Sequence, residues 1–171
     1  MDIQKYLMRN HYSRNAASLV KLIDSDTDHF DSLIEMMVIG PTHLASRASW
    51  IMSMMIEKQP ARFQPYLKTI IQQLGKPGLS MPVKRHILRS LQFVDIPKRY
   101  HARLINQCFA FLQHTNEPIA VKVFAMTVLA NITKHMPELR NELIIVLEDQ
   151  LPYASAGYRS RASKILRQFK V

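Results

Sequence analysis

The chain has 171 residues, 47% hydrophobic and 21% charged, and its 23 Lys+Arg exceed its 13 Asp+Glu for a formal charge of +10. That length suits one ordinary domain, the apolar content excludes disorder, and four glycines with nine prolines exclude a collagenous or turn-rich all-β chain. One cysteine, Cys108, makes no intramolecular disulfide and no cysteine-rich zinc site, and no apolar run approaches the roughly 20 residues of a membrane span.

The first segment, 3–23, is expected to be a helical cap with Lys5, Arg9, Arg14 and Lys21 on its polar face. Next comes Asp24-Ser25-Asp26-Thr27-Asp28, with Glu35 eleven positions after Asp24. These acids fill positions 1, 3, 5 and 12 of a calcium-binding EF-hand loop, but His29 stands where the loop needs a left-handed glycine, and Asp31 replaces an apolar residue. The better reading needs no metal: Asp26, Thr27 or Asp28 caps a helix over 28–39.

Beyond it, prolines and glycines cut the chain into helical lengths, at Gly40-Pro41, Pro60, Gly75-Lys76-Pro77-Gly78, Pro82, Pro97, Pro118, Pro137 and Pro152. First helices are expected at 28–39, 62–74, 98–114 and 137–150, each followed by a second. The second helices carry apolar stripes at three- and four-residue spacing: Trp50, Ile51, Met54 and Met55, then Ile87, Leu88 and Leu91, then Ala125, Met126, Leu129 and Ala130. No segment alternates as a strand does, so the fold class is all-α.

The second helices also match one another. Ser46-Arg47-Ala48-Ser49-Trp50-Ile51, Val83-Lys84-Arg85-His86-Ile87-Leu88, Val121-Lys122-Val123-Phe124-Ala125-Met126 and Ser160-Arg161-Ala162-Ser163-Lys164-Ile165 align without gaps. Their basic second positions, 47, 84, 122 and 161, lie 37, 38 and 39 residues apart. The repeating unit is one helical hairpin, which must stack on its neighbours to bury both helices.

On these residues the sequence resembles the HEAT-repeat (armadillo-like α-solenoid) family. The fullest match is Leu104-Ile105, Phe109 and Phe111-Leu112, then Glu117-Pro118, then Val121-Lys122, Ala125 and Leu129-Ala130. The turn acid present as Glu117 is absent before Lys84, and the valine position becomes Ser46 and Ser160. The resemblance implies an α-α superhelix of about four hairpins behind an N-terminal capping helix. It would be a single domain over 1–171, with the cap at 3–23 and repeats at about 28–57, 62–94, 98–134 and 137–169. It also implies that Arg47, Lys84, Lys122 and Arg161 are structural, pairing with turn acids or carbonyls of the next repeat. The second helices would line a concave face, collecting Arg85, Arg89, Thr127, Asn131, Lys134, Arg167 and Lys170 into a basic groove.

Charge favours that reading. Residues 1–57 carry five basic and seven acidic side chains, 58–114 carry ten and one, and 115–171 carry eight and five. The expectation is a non-enzymatic binding module, soluble and cytoplasmic, without metal or cofactor, whose groove takes an acidic protein or peptide. Nucleic-acid binding is the alternative, weakened because Tyr100, Phe109 and Phe124 sit at core spacing rather than as stacking platforms. A third is a glycosylase of the kind that repairs alkylated DNA, which would rest on Asp95, the one acid of the basic stretch. The seven histidines fall on different helices without an i,i+4 pair. Seven residues of helix put His101 and Cys108 about 10.5 Å apart, too far for an activated thiol. Cys108, Trp50 and the cluster Met36, Met37, Met52, Met54 and Met55 read as core filling.

Overall fold

A computed structural model of the chain describes residues 3–9, 16–24 and 27–169. Among these residues it is all-α, with ten α-helices in sequential pairs and three 3₁₀ segments. The helices are α1 Ile3–Leu7, α2 Ala16–Asp24, α3 Thr27–Ile39, α4 Thr42–Lys58, α5 Leu67–Leu74, α6 Met81–Leu91, α7 His101–Gln113, α8 Ile119–Ile132, α9 Leu139–Gln150 and α10 Ala156–Phe169. They fall into two compact units, Met1–Asp95 and Ile96–Val171. The side chains of the aspartate-rich stretch 24–28 lie outside the described residues, and so do Arg14 and Lys170.

Prolines set the helix starts. Pro41 and Pro118 stand immediately before α4 and α8 in an extended conformation, φ −55° and −56°, and Pro82 lies in the first turn of α6. At those places the missing N–H has no intrahelical partner to lose, and the fixed φ points the chain into the helix. Pro65 does the opposite. It sits inside the stretch expected to be a helix over 62–74, where an α-helix would lose a bond and clash with the preceding turn. The chain instead runs as a 3₁₀ helix over Pro60–Tyr66 and becomes α-helical at Leu67. In the turn before α6, Gly78 takes φ +72°, the left-handed region that disfavours a side chain.

In the first unit α4 is the central helix, packed on α3 and on α6. Phe30, Leu33 and Met37 of α3 meet a core that includes Ile51, Met52 and Ile56 of α4 and Ile87, Leu88 and Leu91 of α6. Met37, Met52 and Met55 are buried, whereas Met36 and Met54 are half-buried. Trp50, expected in the core, is also half-buried at the edge of its stripe. Ser49 and Ser53 are buried because each hydroxyl donates to a carbonyl three residues back, at 2.8 Å.

In the second unit α8 is central, packed on α7 and on α10. Leu104, Cys108 and Leu112 of α7, Ala125, Met126 and Leu129 of α8, Leu143 and Leu147 of α9, and Ala162 and Ile165 of α10 fill its core. Cys108 is fully buried, and burial pushes its thiol pKa up to about 12, so it behaves as a small apolar residue.

Candidate functional site

The second unit contains a cleft of about 320 Å³ with α8 on one side and α10 on the other. Each helix contributes a stripe at the same spacing. From α8 and its C-terminal turn come Thr127, Ala130, Asn131 and Lys134; from α10 come Arg161, Lys164, Ile165 and Gln168. Positions i, i+3, i+4 and i+7 lie on one face of an α-helix, so both stripes look into the same space. Arg140, from the first turns of α9, closes one end with its guanidinium over the Phe169 ring, 5.3 Å from the centroid.

Four cationic side chains therefore line this cleft, and no aspartate or glutamate does. Lys134, Arg140 and Lys164 are exposed, and Arg161 is half-buried. Arg161 is held in place: its Nη1 donates to the Thr127 hydroxyl at 3.3 Å, while that hydroxyl gives its own proton to the Val123 carbonyl at 2.9 Å. Thr127 thus accepts one N–H of a guanidinium that itself lines the cleft and carries further donors.

Three of the seven residues assigned to the groove from sequence, Thr127, Asn131 and Lys134, line this cleft together. The others do not. Arg167 is exposed on α10 and donates Nε to the Ser163 carbonyl at 3.2 Å. Arg85 and Arg89 belong to α6 in the first unit, where Arg85 is exposed. Arg89 is engaged by its own unit, with Nη2 2.6 Å from Glu57 Oε2 and Nη1 3.3 Å from Ser53 Oγ. Sequence reasoning passed over Arg140, Arg161 and Lys164. Arg140 lies in a first helix, outside the pattern of the second helices, and Arg161 is a rung of the basic ladder. The matching stripes of α8 and α10 were the signal available for Lys164.

The ladder itself has a structural role at two rungs. Arg47 donates Nη1 to the Leu7 carbonyl at 2.5 Å, and Arg161 contacts Thr127 as above. Both reach back to an earlier helix, Arg47 from α4 to α1 and Arg161 from α10 to α8, rather than forward to the next repeat.

Two further clefts are of different character. One of about 450 Å³ in the first unit is lined by Ile3, Met36, Ile39 and Leu44 together with His29 and Glu35. Another, of about 640 Å³ in the second unit, lies at the turns before α8 and α10 and includes Glu117, Lys122, Asp149, Tyr153 and Tyr158. Asp95, the residue on which a glycosylase would depend, is exposed, and its carbonyl accepts the Gln64 side-chain amide at 2.8 Å. Among the described residues no three His, Cys, Asp or Glu side chains gather as a metal site would require. No described helix is long and apolar enough to cross a membrane.

A family model described as a HEAT repeat domain matches residues 3–169. No curated protein and no solved structure matches the chain.

Proposed function

The chain belongs to the HEAT-repeat family, whose domains are in general non-catalytic protein-interaction scaffolds, and from that premise we propose that it is a non-enzymatic binding module for an acidic protein or peptide. The observation that carries this reading is the cleft between α8 and α10, where Lys134, Arg140, Arg161 and Lys164 converge with no acidic side chain among them. Cations gathered in a concavity repel one another and attract an anionic partner, which speeds encounter and rejects basic surfaces. The second unit as a whole has the same bias, with 11 Lys+Arg against five Asp+Glu over residues 96–171.

The test is binding of a fluorescent oligoglutamate peptide, followed by anisotropy as salt rises. Wild-type affinity is expected to weaken with salt, and Lys134→Glu with Lys164→Glu to weaken it by roughly tenfold or more. Equal binding by wild type and variant would remove the cleft from the function. Tighter binding to generic duplex DNA than to the peptide, lost in the same variant, would favour nucleic acid.

A further inference from the structure

We propose that the anion held between α8 and α10 is a phosphate monoester, carried on a phosphorylated side chain of the acidic partner; this rests on the reading above and specifies its chemistry. Four formal positive charges surround about 320 Å³ without a carboxylate among the lining residues. A single carboxylate offsets one of them and presents two oxygens in a plane. A phosphate monoester carries a charge of about −1.5 to −2 near neutral pH and presents three terminal oxygens in different directions.

The donors are distributed to suit the second shape. Arg161 and Lys164 stand one turn apart on α10, Lys134 lies across the cleft at the end of α8, and Arg140 enters from α9. Arg161 supplies the element that a solvated surface patch lacks. Its guanidinium is half-buried and oriented by Thr127, so little side-chain freedom is lost when its remaining N–H groups take two oxygens in the forked manner that arginine prefers. The two lysines act as mobile point charges on the remaining oxygen. Phe169, beneath Arg140, gives the entrance an apolar wall against which the carrier's aliphatic portion can lie.

The experiment compares two labelled peptides of equal length, one oligoglutamate and one in which the central glutamate is phosphoserine, by anisotropy at about 150 mM salt. The phosphoserine peptide is expected to bind at least roughly tenfold tighter, and inorganic phosphate at millimolar concentration to displace it. Lys134→Gln with Lys164→Gln is expected to abolish the preference, while Lys68→Gln, exposed on α5 in the other unit, leaves it intact. Both cleft lysines are exposed, so that variant should keep its fold, as circular dichroism would verify; Arg161→Lys, which keeps the charge but loses the fork, should reduce the preference. Equal affinity for the two peptides, or failure of inorganic phosphate to compete, would overturn the phosphate assignment and leave the acidic-partner reading standing. Absence of binding to both peptides would overturn the two together.

Discussion

Gln150, the last residue of α9, donates its side-chain amide to the carbonyl of Leu112 near the end of α7, 3.0 Å away and 38 positions earlier. The last four carbonyls of a helix have no intrahelical partner, and Leu112 carries one of them. The first unit uses the same device. Arg47 donates to the Leu7 carbonyl 40 positions back, and Arg62 to the Ile23 carbonyl 39 positions back at 3.1 Å. These spacings, 38, 39 and 40 positions, are close to the 37 to 39 residues between the basic positions of the repeated blocks. In these three places a side chain about one repeat period later satisfies a carbonyl at the end of an earlier helix.

Gln150→Ala is accordingly expected to destabilise the protein by about 1 kcal/mol, the net value of one such bond with a partly exposed carbonyl left behind. Gln150→Glu should cost more, because a carboxylate facing a carbonyl oxygen repels where the amide donated. Urea titration reads both. A midpoint unchanged in both variants would mean that the bond contributes nothing to register or stability.

His86 predicts a pH dependence. It is buried in α6 next to Arg85 and Arg89, with Nδ1 3.5 Å from the Ser53 hydroxyl. Burial first, then the two arginine charges, lower its pKa from 6.5 to about 4. Between those values the unfolded chain binds a proton that the folded chain does not, so stability rises with pH. The contribution is whole above about pH 6.5 and is lost as pH falls through the folded pKa, with a size of the order of 2 kcal/mol once solvent screening is discounted. His86→Gln should flatten that part of the acid limb when urea midpoints are compared at about pH 7 and pH 4.5. A limb equally steep in the variant would assign the loss to carboxylates instead.

Cys108 should resist thiol reagents in the native protein. Its side chain is fully buried and its thiol is held protonated by burial, with pKa about 12. Modification then requires opening of the α7–α8 core, so labelling by a disulfide reagent is expected to be on the order of a thousandfold slower than in denaturant. A native rate close to the denatured one would place the thiol at the surface.

The elements most legible in the sequence were those fixed by local rules. Proline at a first turn and apolar spacing of three and four both act within one helix, and the helices expected at 28–39, 98–114 and 137–150 are α3, α7 with its leading 3₁₀ turn, and α9. The 3₁₀ segment at Pro60–Tyr66 was hidden because apolar spacing alone does not register that Pro65 lacks its N–H. The cleft was half legible for a related reason. Thr127, Asn131 and Lys134 follow from helical spacing on α8, but Arg140 reaches the same cavity from a different helix. Arg89 shows the converse, since its charge was visible and its engagement by Glu57, 32 positions away, was a fact of packing.

Tyr158 carries the last prediction. The residue is only 3% exposed, and its hydroxyl is buried without a hydrogen-bond partner. Burial, with a smaller contribution from the charge of Asp149, raises its pKa to about 12. A buried hydroxyl without a partner costs free energy that a ring edge does not, so Tyr158→Phe is expected to be neutral or to stabilise by about 1 kcal/mol. The alkaline limb carries the same information with a definite sign. Between the ordinary phenol value of 10.0 and about 12 the folded chain retains a proton that the unfolded chain releases. The contribution is therefore present below about pH 10 and lost as pH rises toward 12. Tyr158→Phe should remove that loss, and ultraviolet titration of the native wild type should show a tyrosine ionising near the top of the range that is missing from the variant. A destabilisation of more than about 1 kcal/mol in Tyr158→Phe would instead reveal a hydrogen bond at that hydroxyl, such as one made to an ordered water in the cleft it adjoins.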